Sequence, residues 1–122
     1  MSNGDLGGFS MLELFRQEVE THAQVLDEGL LALERDPRDA ALLEGMMRAA
    51  HSIKGAARLV GVDAGVEVAH ALEDCFVAAQ EGRVVLDDAA AVDTLLSELD
   101  LLKRIAALER SEEDTSELQS PS

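Results

Sequence analysis

The sequence has no tyrosine or tryptophan, only three phenylalanines, two prolines and one cysteine. Strands favour aromatic and β-branched residues, whereas the many alanines and leucines of this chain favour helices. The lone Cys75 cannot close an internal disulfide or form a cysteine-based metal cluster, which fits a reducing cytoplasm. Because the chain also lacks a basic segment followed by an apolar run, and any apolar run of about 18 residues, we expect neither secretion nor membrane insertion.

Positive charge is scarce as well. Ten lysines and arginines stand against 25 aspartates and glutamates, for a formal net charge of -15. A surface this acidic repels nucleic-acid phosphates and anionic lipids, so neither is expected as a partner. The length of 122 residues suits one domain with one core.

The two ends of the chain differ from its middle. Residues 1–8 are polar and contain three glycines, and residues 109–122 contain five acids and a serine-rich end. Neither segment has enough apolar residues to pack. We therefore expect a flexible N-terminus at 1–8, a folded domain at 9–108 and an acidic flexible linker at 109–122.

Between the ends, four segments repeat apolar residues at helical spacing. Turn and capping residues separate them and set the expected bounds, which are 9–33; Pro37 or Asp39 to Val60, with Gly61 as the stop; Asp63 as a cap to Gly82; and Asp87 or Asp88 to Leu108. Short connections favour antiparallel neighbours. The sequence therefore predicts an all-α, up-and-down four-helix bundle.

The second predicted helix carries the residues that point to chemistry. At about 100° per residue, its apolar side chains gather on one face, and the roughly opposite face holds His51, Lys54, Gly55 and Arg58. We expect the His51 imidazole to face solvent, where a partner can reach it. Lys54 and Gly55 follow at i+3 and i+4, so an ammonium could meet a phosphoryl oxygen beside the ring and the glycine would leave room for another protein.

The third predicted helix offers a polar pair, His70 and Glu73, which share a face because they are three residues apart. If the second and third helices pack antiparallel, the Glu73 carboxylate could accept the Nδ1 proton of His51. That tautomer leaves Nε2 unprotonated and therefore nucleophilic. His70 could be a further polar neighbour of a phosphoryl group.

These residues also resemble a known family. The similarity lies in a run on the second helix, one glycine and a pair on the third helix: His51-Ser52-Ile53-Lys54-Gly55-Ala56-Ala57, Gly61 and His70-x-x-Glu73. They are similar to the histidine-containing phosphotransfer (HPt) domain at the N-terminus of CheA-type chemotaxis kinases, and the similarity covers about Leu12 to Leu108. One departure is Ala56, where chemotaxis kinases often have glycine.

The resemblance implies that His51 is phosphorylated at Nε2 by an ATP-bound kinase domain and then passes the group to an aspartate of a response-regulator receiver domain. It also implies that Lys54, His70 and Glu73 support the histidine, and that the isolated domain is a monomer. Segments outside the motif look closest to Wsp-type hybrid kinases of bacterial surface sensing, namely Leu12-Glu13-Leu14-Phe15, Gly29-Leu30-Leu31-Ala32-Leu33-Glu34 and Glu73-Asp74-Cys75.

The sequence has no glycine-rich phosphate loop and no nucleotide-binding motif, so no stand-alone kinase activity and no cofactor are expected in this domain. ATP and Mg²⁺ would belong to the partner kinase and receiver domains. Two alternatives remain open. His51, His70 and Glu73 offer nitrogen and oxygen ligands for zinc, and the bundle could also be a docking module that is never phosphorylated.

Overall fold

A computed structural model describes the backbone of residues 3–119 and the side chains of residues 11–109. Four helices follow one another: α1 (Asn3–Leu33), α2 (Ala40–Val60), α3 (Asp63–Gln80) and α4 (Ala89–Gln119). Each packs against two neighbours in the ring order α1, α2, α3, α4, with α4 returning to α1. The predicted up-and-down four-helix bundle is confirmed.

The helix termini in the middle of the chain follow local rules. The Asp39 side chain caps α2 by accepting a hydrogen bond from the Leu42 N–H at 3.1 Å. Gly61 ends α2 in the left-handed conformation with φ of 77°, which glycine adopts without steric cost. The expected Asp63 cap of α3 is wrong, because Val62 holds the cap position and Asp63 lies in the first turn, where its charge favours the helix dipole.

The outer bounds of α1 and α4 differ from the expected 9 and 108. The backbone is helical from residue 3 and as far as residue 119. At the C-terminal end the helix can continue because the segment 109–119 contains neither proline nor glycine. The side chains of 3–10 and 110–119, and residues 1, 2 and 120–122 altogether, lie outside the described part. The flexibility expected for 1–8 and 109–122 stays a prediction.

The core is apolar throughout the described residues. Its largest fully buried side chains come from all four helices: Phe15, Val19, Leu26, Leu30, Leu33, Met46, Ile53, Leu72, Phe76, Leu99 and Leu102. Leu108, expected to extend the apolar stripe of α4, is instead 60% exposed, because it lies about 200° around the helix from the buried Ala106. No helix of the described chain combines the length and apolar character that a bilayer span requires.

Gly29 lets α1 and α2 approach closely. A Cβ atom at this position would lie 2.7 Å from Cγ and Sδ of Met46, which is too near for any side chain. The contact places the buried face of α2 firmly against α1. The opposite face of α2 is left at the surface, and there the polar residues of the motif lie.

Candidate functional site

His51 lies at the middle of α2 on its solvent-exposed side. Its side chain is 64% exposed, although the neighbouring Ala50 is fully buried. Gly55, one turn later, has open space where a Cβ would be. The predicted exposure of the imidazole is confirmed, and the surface next to it is free of side-chain obstruction.

Glu73 reaches His51 from α3. Its Oε2 atom lies 2.7 Å from Nδ1 of His51, which is hydrogen-bond distance, and the Glu73 side chain is only 13% exposed. This contact confirms the predicted approach of the two residues. The exposed ring is thus anchored by a largely buried carboxylate on the neighbouring helix.

Lys54 differs from its expected placement. Its side chain is only 14% exposed, and its Nζ atom lies 2.6 Å from Oε1 of Glu73. Lys54 lies at the border between the exposed side of α2 and the α3 interface, and its long side chain reaches the carboxylate of the neighbouring helix. Oε1 is shielded from solvent, and the Lys54 ammonium neutralises it.

The environment of Glu73 favours its ionised form. Burial alone would raise the pKa of the Glu73 carboxyl, but the adjacent Lys54 ammonium and the hydrogen bond from His51 outweigh burial and hold that pKa below its ordinary value. An ionised carboxylate only accepts hydrogen bonds. His51 Nδ1 must therefore donate, which leaves the Nε2 lone pair of a neutral ring facing solvent.

His70 lies one turn before Glu73 on the exposed surface of α3, with 56% of its side chain exposed. Its Nε2 atom is 3.4 Å from Oδ1 of Asp74 on the same helix. The structure thus brings together His51, Lys54 and Glu73, and leaves His70 beside them without a direct contact.

The zinc alternative does not fit this arrangement. Among the described residues, no three histidine, cysteine, aspartate or glutamate side chains converge as a metal site. The position next to Glu73 that a cation would take is already filled by the Lys54 ammonium. A second positive charge there would be repelled at short range.

A groove of about 440 Å³ runs between α1 and α2 directly beside His51. It is lined from α1 by Met11, Leu14 and Glu18, and from α2 by Ser52 and Leu59 among others. Leu14 and Leu59 are 57% and 73% exposed, which is unusual for large apolar side chains clustered in one place. The groove is therefore a candidate contact surface for another protein.

The sequence reasoning did not identify the α1 side of this groove. Leu14 is apolar but lies next to Phe15, outside the core-facing stripe, and that off-stripe position was the one available signal. Its nearness to His51 depends on how α1 crosses α2. Gly55 lines the groove, while Arg58 is exposed on the ridge outside it.

Comparisons with known proteins agree on one family. The family model of the Hpt domain matches residues 10–111. The chemotaxis protein CheA of Borreliella burgdorferi is 33% identical over 104 residues, which are 85% of this chain and 12% of that protein. The gliding motility regulatory protein of Myxococcus xanthus is 36% identical over 93 residues, or 76% of this chain and 12% of that protein. This chain thus spans about an eighth of such relatives.

Among solved structures, the CheA phosphotransferase domain from Thermotoga maritima matches with a TM-score of 0.75 and 25% identity. The match covers 88% of this chain and 96% of that domain, so the whole bundle is shared. The narrower similarity to Wsp-type kinases stays a prediction. Four helices, an exposed histidine held by a glutamate of the next helix, and a family match across the bundle lead to one conclusion: the chain belongs to the Hpt domain family, the histidine phosphotransfer domains of phosphorelays.

Proposed function

We propose that His51 accepts a phosphoryl group at Nε2 from an ATP-bound histidine kinase domain and passes it to an aspartate of a response-regulator receiver domain. The observation that carries the proposal is the hydrogen bond of Nδ1 to the largely buried, ionised Glu73, which leaves Nε2 as the exposed nucleophilic nitrogen. A relative described as a sensor histidine kinase, CheAY of Helicobacter pylori, supports a kinase context.

In the first step, the Nε2 lone pair attacks the γ-phosphorus, the P–O bond to ADP breaks, and ADP leaves with that electron pair. The ring then carries positive charge that is shared with the Nδ1–H group. Glu73 accepts a hydrogen bond from this group at 2.7 Å, so its negative charge stabilises the phosphorylated ring. In the second step, an aspartate oxygen attacks phosphorus, the P–N bond breaks, and its electron pair returns to Nε2.

Lys54 acts mainly through Glu73. Because its ammonium lies 2.6 Å from Oε1, Lys54 fixes the carboxylate that orients the ring. A direct phosphoryl contact of Lys54 and a polar role of the exposed His70 stay predictions.

The proposed cofactors, location, oligomeric state and partners follow from composition and family. ATP comes with the kinase and Mg²⁺ with the receiver, so this domain needs no cofactor of its own, and it works in the cytoplasm as a monomeric module. Nucleic acid and membranes are not among its partners, given a net charge of -15. A Wsp-type surface-sensing pathway is the narrower proposal.

The test is to incubate the chain with labelled ATP and the kinase core of its parent protein or operon. We expect acid-labile, base-stable label on the wild type and none on His51→Gln. His22→Gln and His70→Gln are matched controls, since both rings also lie beside a carboxylate, at 3.2 and 3.4 Å. Both should still be labelled.

Labelling of His51→Gln equal to wild type would show that another residue is the acceptor. An unlabelled wild type that still binds an otherwise active kinase would leave the docking-module function instead. Binding is therefore measured in parallel, for both wild type and His51→Gln.

A further inference from the structure

The three basic residues of α2 differ in whether they have an acidic partner. Arg48 is paired with Glu44 at 2.8 Å, and Lys54 is paired with Glu73 at 2.6 Å. Arg58 is exposed and has no acidic partner within 4.0 Å among the described side chains, 11–109, and α3 contains no lysine or arginine. Among the described residues of α2 and α3, Arg58 is therefore the cation that remains available to another molecule.

Arg58 shares the exposed ridge of α2 with His51. The two residues are seven apart, so they lie within about 20° of each other around the helix and about 10 Å apart along it. Gly55 stands between them and has no side chain to block a partner. At this separation Arg58 is too far to be assigned to the phosphoryl group itself, but it lies within the footprint of a protein docked on His51.

Apolar surface adjoins this cation. Leu59, the next residue, is 73% exposed and lines the groove beside His51, together with the exposed Leu14 of α1. Protein interfaces commonly combine an apolar centre with a charged rim, and arginine is enriched among the residues that contribute most to binding. Arg58 lies at the edge of this apolar surface.

The charge of the chain suggests what Arg58 meets. A receiver that uses Mg²⁺ presents carboxylates around its acceptor aspartate, since carboxylates are the groups that hold this ion. A domain of net charge -15 approaching an acidic site is repelled as a whole. A free cation on the ridge next to His51 offsets that repulsion where the two surfaces meet.

We propose that Arg58 forms an ion pair with a carboxylate on the rim of the receiver domain, about 10 Å from the aspartate that accepts the phosphoryl group. Arg58 is thereby a specificity-determining residue for the transfer step, and it is not a catalytic one. The inference rests on the proposed function, because it presupposes that His51 donates to a receiver.

The test compares Arg58→Glu with Arg38→Glu. Arg38 is also exposed, and it lies before α2, about 20 Å from His51 along the helix axis, so both variants change the net charge by the same amount at different places. Each variant is labelled on His51 with the kinase core. Transfer of the label to a receiver domain is then measured. The receiver used is the one, among those encoded with the parent gene, that takes label from the wild type fastest.

We expect Arg58→Glu to slow transfer about 10-fold at low salt, because charges at an interface rim act mainly on the association rate, while Arg38→Glu stays within about 2-fold of wild type. The transfer rate of the wild type relative to that of Arg58→Gln should fall towards one as ionic strength rises, because salt screens the attraction that Arg58 supplies. Because Arg58 lies in the last turn of α2, where a cation favours the helix dipole, thermal unfolding of each variant is measured alongside.

Equal transfer by Arg58→Glu and Arg38→Glu, with wild type active, would overturn the inference and leave the proposed function intact. So would a slower kinase step with unchanged transfer, which would assign Arg58 to the kinase. A wild type that never acquires label on His51 would instead defeat the proposed function.

Discussion

Two ion pairs cross between helices of this bundle at the same distance, in contrasting surroundings. Lys54 and Glu73 join α2 to α3 at 2.6 Å with side chains 14% and 13% exposed, whereas Lys103 and Asp27 join α4 to α1 at 2.6 Å with 42% and 40% exposed. An exposed pair is screened by water and contributes about 0–1 kcal/mol. A shielded pair interacts more strongly and costs more to break.

The carboxylates of the two pairs also differ in their further contacts. Glu73 has a second partner in His51, whose exposed ring it holds, while Asp27 has only Lys103 as its partner in the described structure. The α2–α3 pair is therefore linked to an exposed imidazole, whereas the α1–α4 pair joins only the first and last helices.

Neutralising the carboxylate of each pair should produce the largest difference between them. We expect Glu73→Gln to slow phosphorylation of His51 by about 10- to 100-fold, because a hydrogen bond to a charged group is worth about 1.5–3 kcal/mol. Asp27→Asn should stay within about 2-fold of wild type. Initial rates with the same kinase core measure both. Equal rates for Glu73→Gln and wild type would mean that the carboxylate does not assist the ring.

Removing the lysines tests the same contrast through stability. Lys54→Met leaves the largely buried Glu73 carboxylate without its cation, and we expect a loss of about 1–3 kcal/mol in the free energy of unfolding. Lys103→Met should cost about 0–1 kcal/mol. Urea denaturation of both variants gives the values, and similar losses would show that burial does not distinguish the two pairs.

The sequence was sufficient to predict much of this arrangement. The spacing of apolar residues predicted four helices, and the antiparallel packing of α2 and α3 made contact between His51 and Glu73 foreseeable. Lys54 was placed less well. It lies about 60° around the helix from His51, a direction from which a long side chain can turn either to solvent or to α3.

What spacing could not supply was the relative placement of α1 and α2. Leu14 becomes part of a surface beside His51 only because α1 crosses α2 in a particular register, which depends on close contacts such as that of Gly29 with Met46. The length of α4 was also beyond prediction from apolar periodicity, because helical backbone continues past Leu108 through polar residues.

Two helical glycines differ in the space around them. Gly29 of α1 packs against the buried face of α2, and Gly55 lies on the exposed face of α2. Gly29→Ala would place a Cβ 2.7 Å from Met46, and we expect it to destabilise the fold by about 1–3 kcal/mol through overpacking. Gly55→Ala enters open space and should stabilise the fold by up to about 1 kcal/mol, since alanine favours helix. Thermal unfolding of both variants measures these changes in stability. Stabilisation by Gly29→Ala would contradict the close approach of α1 to α2 at Met46.

The smallest expected effect is on the free energy of unfolding at acidic pH. Because the pKa of Glu73 is lowered in the folded state, its contribution to stability is complete above the ordinary value of 4.5 and is lost as the pH falls through the lower, folded-state pKa. The gap in unfolding free energy between wild type and Glu73→Gln should therefore narrow below about pH 4.5. Urea titrations from pH 7 to pH 3 measure the gap, and a gap that widens on acidification would reverse the sign.

The most direct test of the central claim is to find which ring nitrogen carries phosphorus. Nitrogen-15 and phosphorus-31 NMR of the domain after labelling by the kinase core distinguishes the two phosphohistidine isomers and assigns them to a residue. We expect phosphorus on Nε2 of His51, with Nδ1 protonated and bonded to Glu73. Phosphorus on Nδ1 of His51, or on His22 or His70, would contradict the assignment of Glu73 as the group that exposes the nucleophile.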